Sequence, residues 1–148
     1  MTFGGLTVKS QSIGVAKTAT GFNGVDGIFG VGPVDLTEST VSGVDTVPTF
    51  LDNLYSQGQI SSQVLGVSFA PESGSDDDDA NGELTLGGTD SSRYSGSITY
   101  TPTLTSGDFA PYWGIKVSAI TYGGSSLGSG SAIVDTGKSY LLCGRSAC

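Results

Sequence analysis

A mostly β chain carrying a single amphipathic helix is what the sequence predicts, on three observations. Glycine is abundant, 24 of 148 residues, and charged residues make up only 14%, which disfavours long solvated helices and favours short strands joined by tight turns. Apolar residues recur in short alternating or continuous runs bounded by Gly, Ser, Asn and Asp, the pattern of strands. Only residues 47–57 space their apolar side chains as a helix does.

Taken in order, Phe3 to Ala16 alternates through Leu6, Val8, Ile13 and Val15 and predicts two strands of a meander. Residues 21–32, Gly-Phe-Asn-Gly-Val-Asp-Gly-Ile-Phe-Gly-Val-Gly, set apolar side chains between glycines that permit close backbone approach. A plain glycine-rich strand and turn accounts for the same spacing. Over Val47–Gln57 the residues Val47, Phe50, Leu51, Leu54 and Tyr55 fall on one helical face. Thr46 is the expected cap, Pro48 suits the first turn because its missing N–H would go unpaired there, and Gly58 suits the stop. Strands are predicted over Val64–Phe69, Gly82–Gly88, Ile98–Thr101, Tyr112–Tyr122 and Ser131–Val134, with a turn at Gly123-Gly124. No internal repeat or linker divides the chain, and 148 residues fall within the range of one domain.

Fourteen acidic against six basic residues give a net charge of -8, which argues against nucleic acid and anionic membrane surfaces as partners. Few cations also mean little positive self-repulsion once carboxylates protonate, a balance compatible with acid conditions. No apolar run is long enough to span a bilayer, and the residues after Met1 do not form a signal peptide. Cys143 and Cys148 either form a small local disulfide or remain free thiols, and with no histidine in the chain a metal site is not expected. The loop with Asp76-Asp77-Asp78-Asp79 matches half of a calcium-loop pattern at Asp77, Asp79, Asn81 and Gly82. The position of the closing glutamate is Gly88, so a solvated surface loop is the better reading.

The chemistry-bearing stretch is Ala132-Ile133-Val134-Asp135-Thr136-Gly137, a short apolar strand delivering a carboxylate into a glycine-assisted turn. This turn, together with Asp26-Gly27-Ile28-Phe29-Gly30-Val31-Gly32, the Val47–Gly58 helix, Leu86-Gly87-Gly88-Thr89-Asp90 with Tyr94-Ser95-Gly96, and Tyr112-Trp113-Gly114-Ile115, resembles the pepsin-like aspartic proteases in content and order. Gly32-Pro33-Val34-Asp35-Leu36 and Asn53-Leu54-Tyr55-Ser56-Gln57-Gly58 look most like the fungal, polyporopepsin-type branch.

The resemblance implies a bilobed, mostly β pepsin-like fold of which this chain is a central part. It would hold the second half of the N-terminal lobe (approximately 1–95) and the first half of the C-terminal lobe (96–148). It implies an aspartic endopeptidase that cleaves peptide or protein substrates without a cofactor, secreted in the manner of the family. Asp135 would be one catalytic aspartate, Thr136 would brace the two active-site turns, and Gly137 would let the backbones approach. The first Asp-Thr-Gly turn and the flap would lie before Met1, which leaves the enzyme status of this chain alone, and its oligomeric state, open. By the same pattern Tyr112 lies near the cleft, although a core aromatic beside Trp113 is an equal reading.

Two features complicate the motif. The family has Thr or Ser where this chain has Lys138, which cannot accept a hydrogen bond and sets a positive charge beside the aspartate. The tail from Leu142 to Cys148 also departs from the family pattern. Residues 132–139 loosely fit a phosphate loop, yet Ile133 and Val134 are poor loop residues and Gly144 interrupts any helix that would follow. A catalytically inactive fragment or binding module is the principal alternative to the protease reading.

Overall fold

The structure, a computed structural model, describes residues 1–22, 24–71 and 81–137. Its regular elements are strands β1 (Thr2–Phe3), β2 (Leu6–Thr7), helix α1 (Phe50–Ser56), and strands β3 (Leu65–Ser68), β4 (Glu83–Leu86), β5 (Gly114–Tyr122) and β6 (Ser125–Ile133). Single 3-10 turns lie at Val34–Thr37 and Ser91–Arg93. The strands pair antiparallel as three separate hairpins, β1-β2, β3-β4 and β5-β6.

At the start of the chain, Gly4 and Gly5 both hold positive φ, the mirror-image turn whose twist matches a two-residue hairpin. The two strands expected before Ala16 form as this hairpin, shorter than the alternation suggested, and residues 9–16 lie outside it. Past the Met1–Val8 backbone pair the ladder gives way to the side chain of Gln57, the C-cap of α1: the Lys9 N–H donates to Gln57 Oε1 at 2.9 Å and Gln57 Nε2 donates to the Lys9 carbonyl at 3.0 Å. Ile13 and Val15 are left 68% and 88% exposed, so alternation alone did not secure a strand partner.

Helix α1 begins later than the expected Val47 start, and its cap is Thr49 instead of Thr46. The Asp52 N–H donates to Thr49 Oγ1 (3.2 Å) and the Thr49 N–H donates to Asp52 Oδ2 (2.9 Å), a reciprocal capping box. Val47 is held outside the helix because its N–H donates to Thr37 Oγ1 at 2.8 Å. The C-terminal stop is as expected: Gly58 takes φ +68° while the Gln59 N–H returns to the Leu54 carbonyl at 2.8 Å.

The helix supplies two of the three buried hydrophobic side chains among the described residues, Phe50 and Leu54; the third is Val8. Leu6, Ile60 and Leu86 pack against them, so the core joins β2, α1 and β4. Phe29 extends it outward, stacking on Phe3 with ring centroids 4.9 Å apart and meeting Phe50 edge-on at 5.4 Å. Residues 28–32 form no strand; this aromatic trio ties the segment to the helix instead.

The strands predicted over 64–69 and 82–88 appear as β3 and β4, paired from Leu65 opposite Leu86 to Ser68 opposite Glu83. Asp90 caps the following 3-10 turn through its Oδ1 and the Ser92 N–H (2.8 Å), while Arg93 donates from Nε and Nη2 to Glu83 Oε2 at 3.0 and 2.9 Å. Residues 98–101 form no strand, contrary to the expectation. β5 starts two residues late because Tyr112 N–H closes a turn onto the Phe109 carbonyl at 3.2 Å. β6 is longer than expected, since the predicted Gly123-Gly124 turn (φ +56° and +81°) folds it directly back on β5. A local register shift around Ile120 and Gly128 bends this hairpin.

Candidate active site

The β5-β6 hairpin delivers the candidate aspartate. Gly114 pairs with Ile133 and Ile115 with Ala132, so the apolar run of the motif is the last, fully paired part of β6. Val134 extends the pairing by one bond, its N–H donating to the Trp113 carbonyl at 3.0 Å. The chain then turns, and the Gly137 N–H donates to Asp135 Oδ1 at 2.9 Å. This Asx turn is why an Asp-Thr-Gly sequence suits a strand end: the carboxylate accepts a local backbone N–H. Asp135, Thr136 and Gly137 are all exposed, so the carboxylate faces outward from the rim of the hairpin. At Gly137 a Cβ would sit 3.3 Å from Asp135 Oδ1, which makes a side chain there tight against the carboxylate.

The base of the turn is held by groups that sequence reasoning overlooked. Trp113 Nε1 donates to the Val31 carbonyl at 2.8 Å across 82 residues of sequence. Gly114 is buried, its carbonyl accepts the Leu104 N–H at 2.8 Å, and a Cβ there would collide with the Phe109 carbonyl oxygen. The Tyr-Trp-Gly run was the available signal, a donor-bearing aromatic beside a glycine at a strand start. Tyr112 and Trp113 are both half-exposed, so neither is a core aromatic among the described residues. A cavity of about 240 Å³ opens beside Trp113, between Gly30–Pro33 and the capping box of α1.

Other motifs resolve simply. Ala132 and Ile133 belong to a paired strand, which is incompatible with backbone N–H groups curled round a phosphate. Lys138, Ser139, Cys143 and Cys148 lie outside the described residues, as do Asp77 and Asp79 of the partial calcium pattern. Asn81 instead donates to the Pro71 carbonyl at 3.2 Å. Among the described residues no three acidic, His or Cys side chains gather as a metal site, and no helix is long and apolar enough to cross a membrane.

A mostly β architecture with an Asp-Thr-Gly turn carried at the end of a hairpin defines the class as a partial pepsin-like aspartic protease fold. The family model for eukaryotic aspartyl proteases matches residues 1–148, and the chain belongs to that family. It is 50% identical to polyporopepsin from Irpex lacteus over 99% of its own length and 44% of that protein's. It is 39% identical to rhizopuspepsin from Rhizopus chinensis and 34% identical to pepsin A from Sus scrofa, covering 33% and 35% of those proteins. The crystal structure of an aspartic proteinase from Irpex lacteus superimposes with a TM-score of 0.89 at 51% identity, over 99% of this chain and 43% of that one. The chain therefore spans less than half the length of the relatives it matches.

Proposed function

We propose that this chain contributes one of the two catalytic aspartates, Asp135, to an aspartic endopeptidase acting on peptide or protein substrates. The observation that carries the reading is the Asx turn at the end of β6, which sets an exposed carboxylate on a braced strand end. Peptide hydrolysis of this kind needs a water held between two carboxylates, one ionised to take its proton and one protonated to donate to the substrate carbonyl. Two such close groups cannot both ionise, and aspartic proteases are the standing example of that effect. In this reading Thr136 braces the opposing turn and Gly137 admits its backbone. Residues 1–95 belong to the N-terminal lobe and the inter-lobe sheet, and 96–148 open the C-terminal lobe. Secretion follows the same family reading.

A second reading rests on the same exposure: Asp135, whose carboxylate accepts the Gly137 N–H, is on this chain alone half of a dyad, and the isolated chain is a non-catalytic module. Peptide cleavage at acidic pH, with and without pepstatin, separates the two. Pepstatin-sensitive turnover that falls at least roughly a hundredfold in Asp135→Asn supports a catalytic role for Asp135. Turnover retained in Asp135→Asn removes Asp135 from the chemistry. Stable folding without turnover in either protein favours the module.

A further inference from the structure

The aromatic trio, the Gly30–Gly32 segment and the Asp135 turn are linked by an unbroken series of contacts. Phe50 in α1 packs edge-on against Phe29. Two residues on, the Val31 carbonyl accepts the indole N–H of Trp113. The Trp113 carbonyl in turn accepts the Val134 N–H, immediately before Asp135, whose Oδ1 takes the Gly137 N–H. Trp113 thus uses its side chain toward one half of the chain and its backbone toward the other.

We infer that Trp113 is a positioning residue for Asp135, coupling the helix-packed 28–32 segment to the active-site turn through the Val31 carbonyl. The functional part of this inference rests on the reading of Asp135 as catalytic; the mechanical coupling does not. The geometry around Trp113 suits the task. Gly114 is held behind it by the Leu104 N–H on its carbonyl, with the Phe109 carbonyl where a Cβ would stand, and the indole bond adds to these a restraint that comes from the 28–32 segment. Because Trp113 is 41% exposed, its role is a directed hydrogen bond more than apolar burial.

The test uses the whole chain, isotopically labelled, with amide exchange followed residue by residue. Trp113→Phe keeps an aromatic ring and removes the donor. The expected result is roughly fivefold faster exchange at Val134 and Gly137, the scale of one net hydrogen bond. The Gly87 amide, which bonds the Val64 carbonyl in the separate β3-β4 hairpin, stays unchanged. The Gly137 amide proton resonance should also move upfield as its bond to Asp135 Oδ1 weakens, a signature that a loss of general stability does not produce. No acceleration at Val134 and Gly137, or equal acceleration at Gly87, overturns the inference. If Trp113→Phe fails to fold, the single tryptophan of the chain allows biosynthetic replacement by a benzothiophene analogue, which keeps the indole shape without its N–H, judged by the same criteria. Turnover indifferent to Asp135→Asn defeats the catalytic reading, whereas the exchange data defeat the coupling, so the two fail separately.

Discussion

Replacing Leu54 by alanine tests how thin the core of this chain is. Leu54 is 0% exposed and is one of three buried hydrophobic side chains among the described residues, with Phe50 and Val8. Truncating a buried leucine costs about 2.7–5 kcal/mol, rising with the cavity left behind. The upper half of that range is expected here, because the cap of α1 and the Lys9–Gln57 pairing hold the helix in place and resist collapse into the void. A seven-residue helix is far too short to persist without packing, so the loss extends to secondary structure. The comparison is Tyr55→Ala on the next residue, 49% exposed, where about 1 kcal/mol or less is expected. Urea unfolding monitored by far-UV circular dichroism measures both. A cost below about 1 kcal/mol for Leu54→Ala, or equality with Tyr55→Ala, would refute the view that this chain folds around α1.

Three further outcomes follow from the geometry. Thr49→Ala, which breaks the capping box, should cost about 1 kcal/mol in the same unfolding assay, whereas Thr46→Ala should be nearly silent. Gly87→Ala should cost about 2 kcal/mol, because φ is +87° and the new Cβ would lie 2.9 Å from Ile60 Cβ and Cγ2; Ile60→Val keeps both atoms and should not recover it. For Asp90, the Ser92 backbone N–H, then the Ser92 hydroxyl and, further down, the Arg93 charge hold the carboxyl below its ordinary range. A lowered folded-state value means stability that is present above the unfolded carboxyl range and lost as pH falls through the folded value. The difference in midpoint between the native chain and Asp90→Ala should therefore be full at neutral pH and shrink on acidification; a difference that grows toward acid would contradict the sign.

The order of the segments in the pepsin-like pattern was readable from sequence because each is local. Glycines at 58, 123 and 124 mark turns by their backbone freedom, and Leu84 and Leu86 belong to the short strand β4. Asp135 was readable too, since a carboxylate followed two residues later by glycine specifies its own Asx turn. The hairpin predicted within Phe3–Ala16 came out shorter than its alternating pattern, ending at Thr7. Alternation states which face is apolar, and only a neighbour can complete the ladder; here the neighbour that reached Lys9 was the side chain of Gln57, the C-cap of α1.

The same distinction sets what sequence determined about this protein and what tertiary structure decided. Sequence alone carried the family, the mostly β class and the aspartate at the strand end, all encoded in short runs whose chemistry needs no distant partner. The start of α1 depended on Thr37 drawing Val47 out of the helix, ten residues away. The support of Asp135 depended on an indole meeting a carbonyl 82 residues upstream. Neither could be read from spacing, because a hydrogen bond between remote residues exists only after packing has brought both ends to within 3 Å.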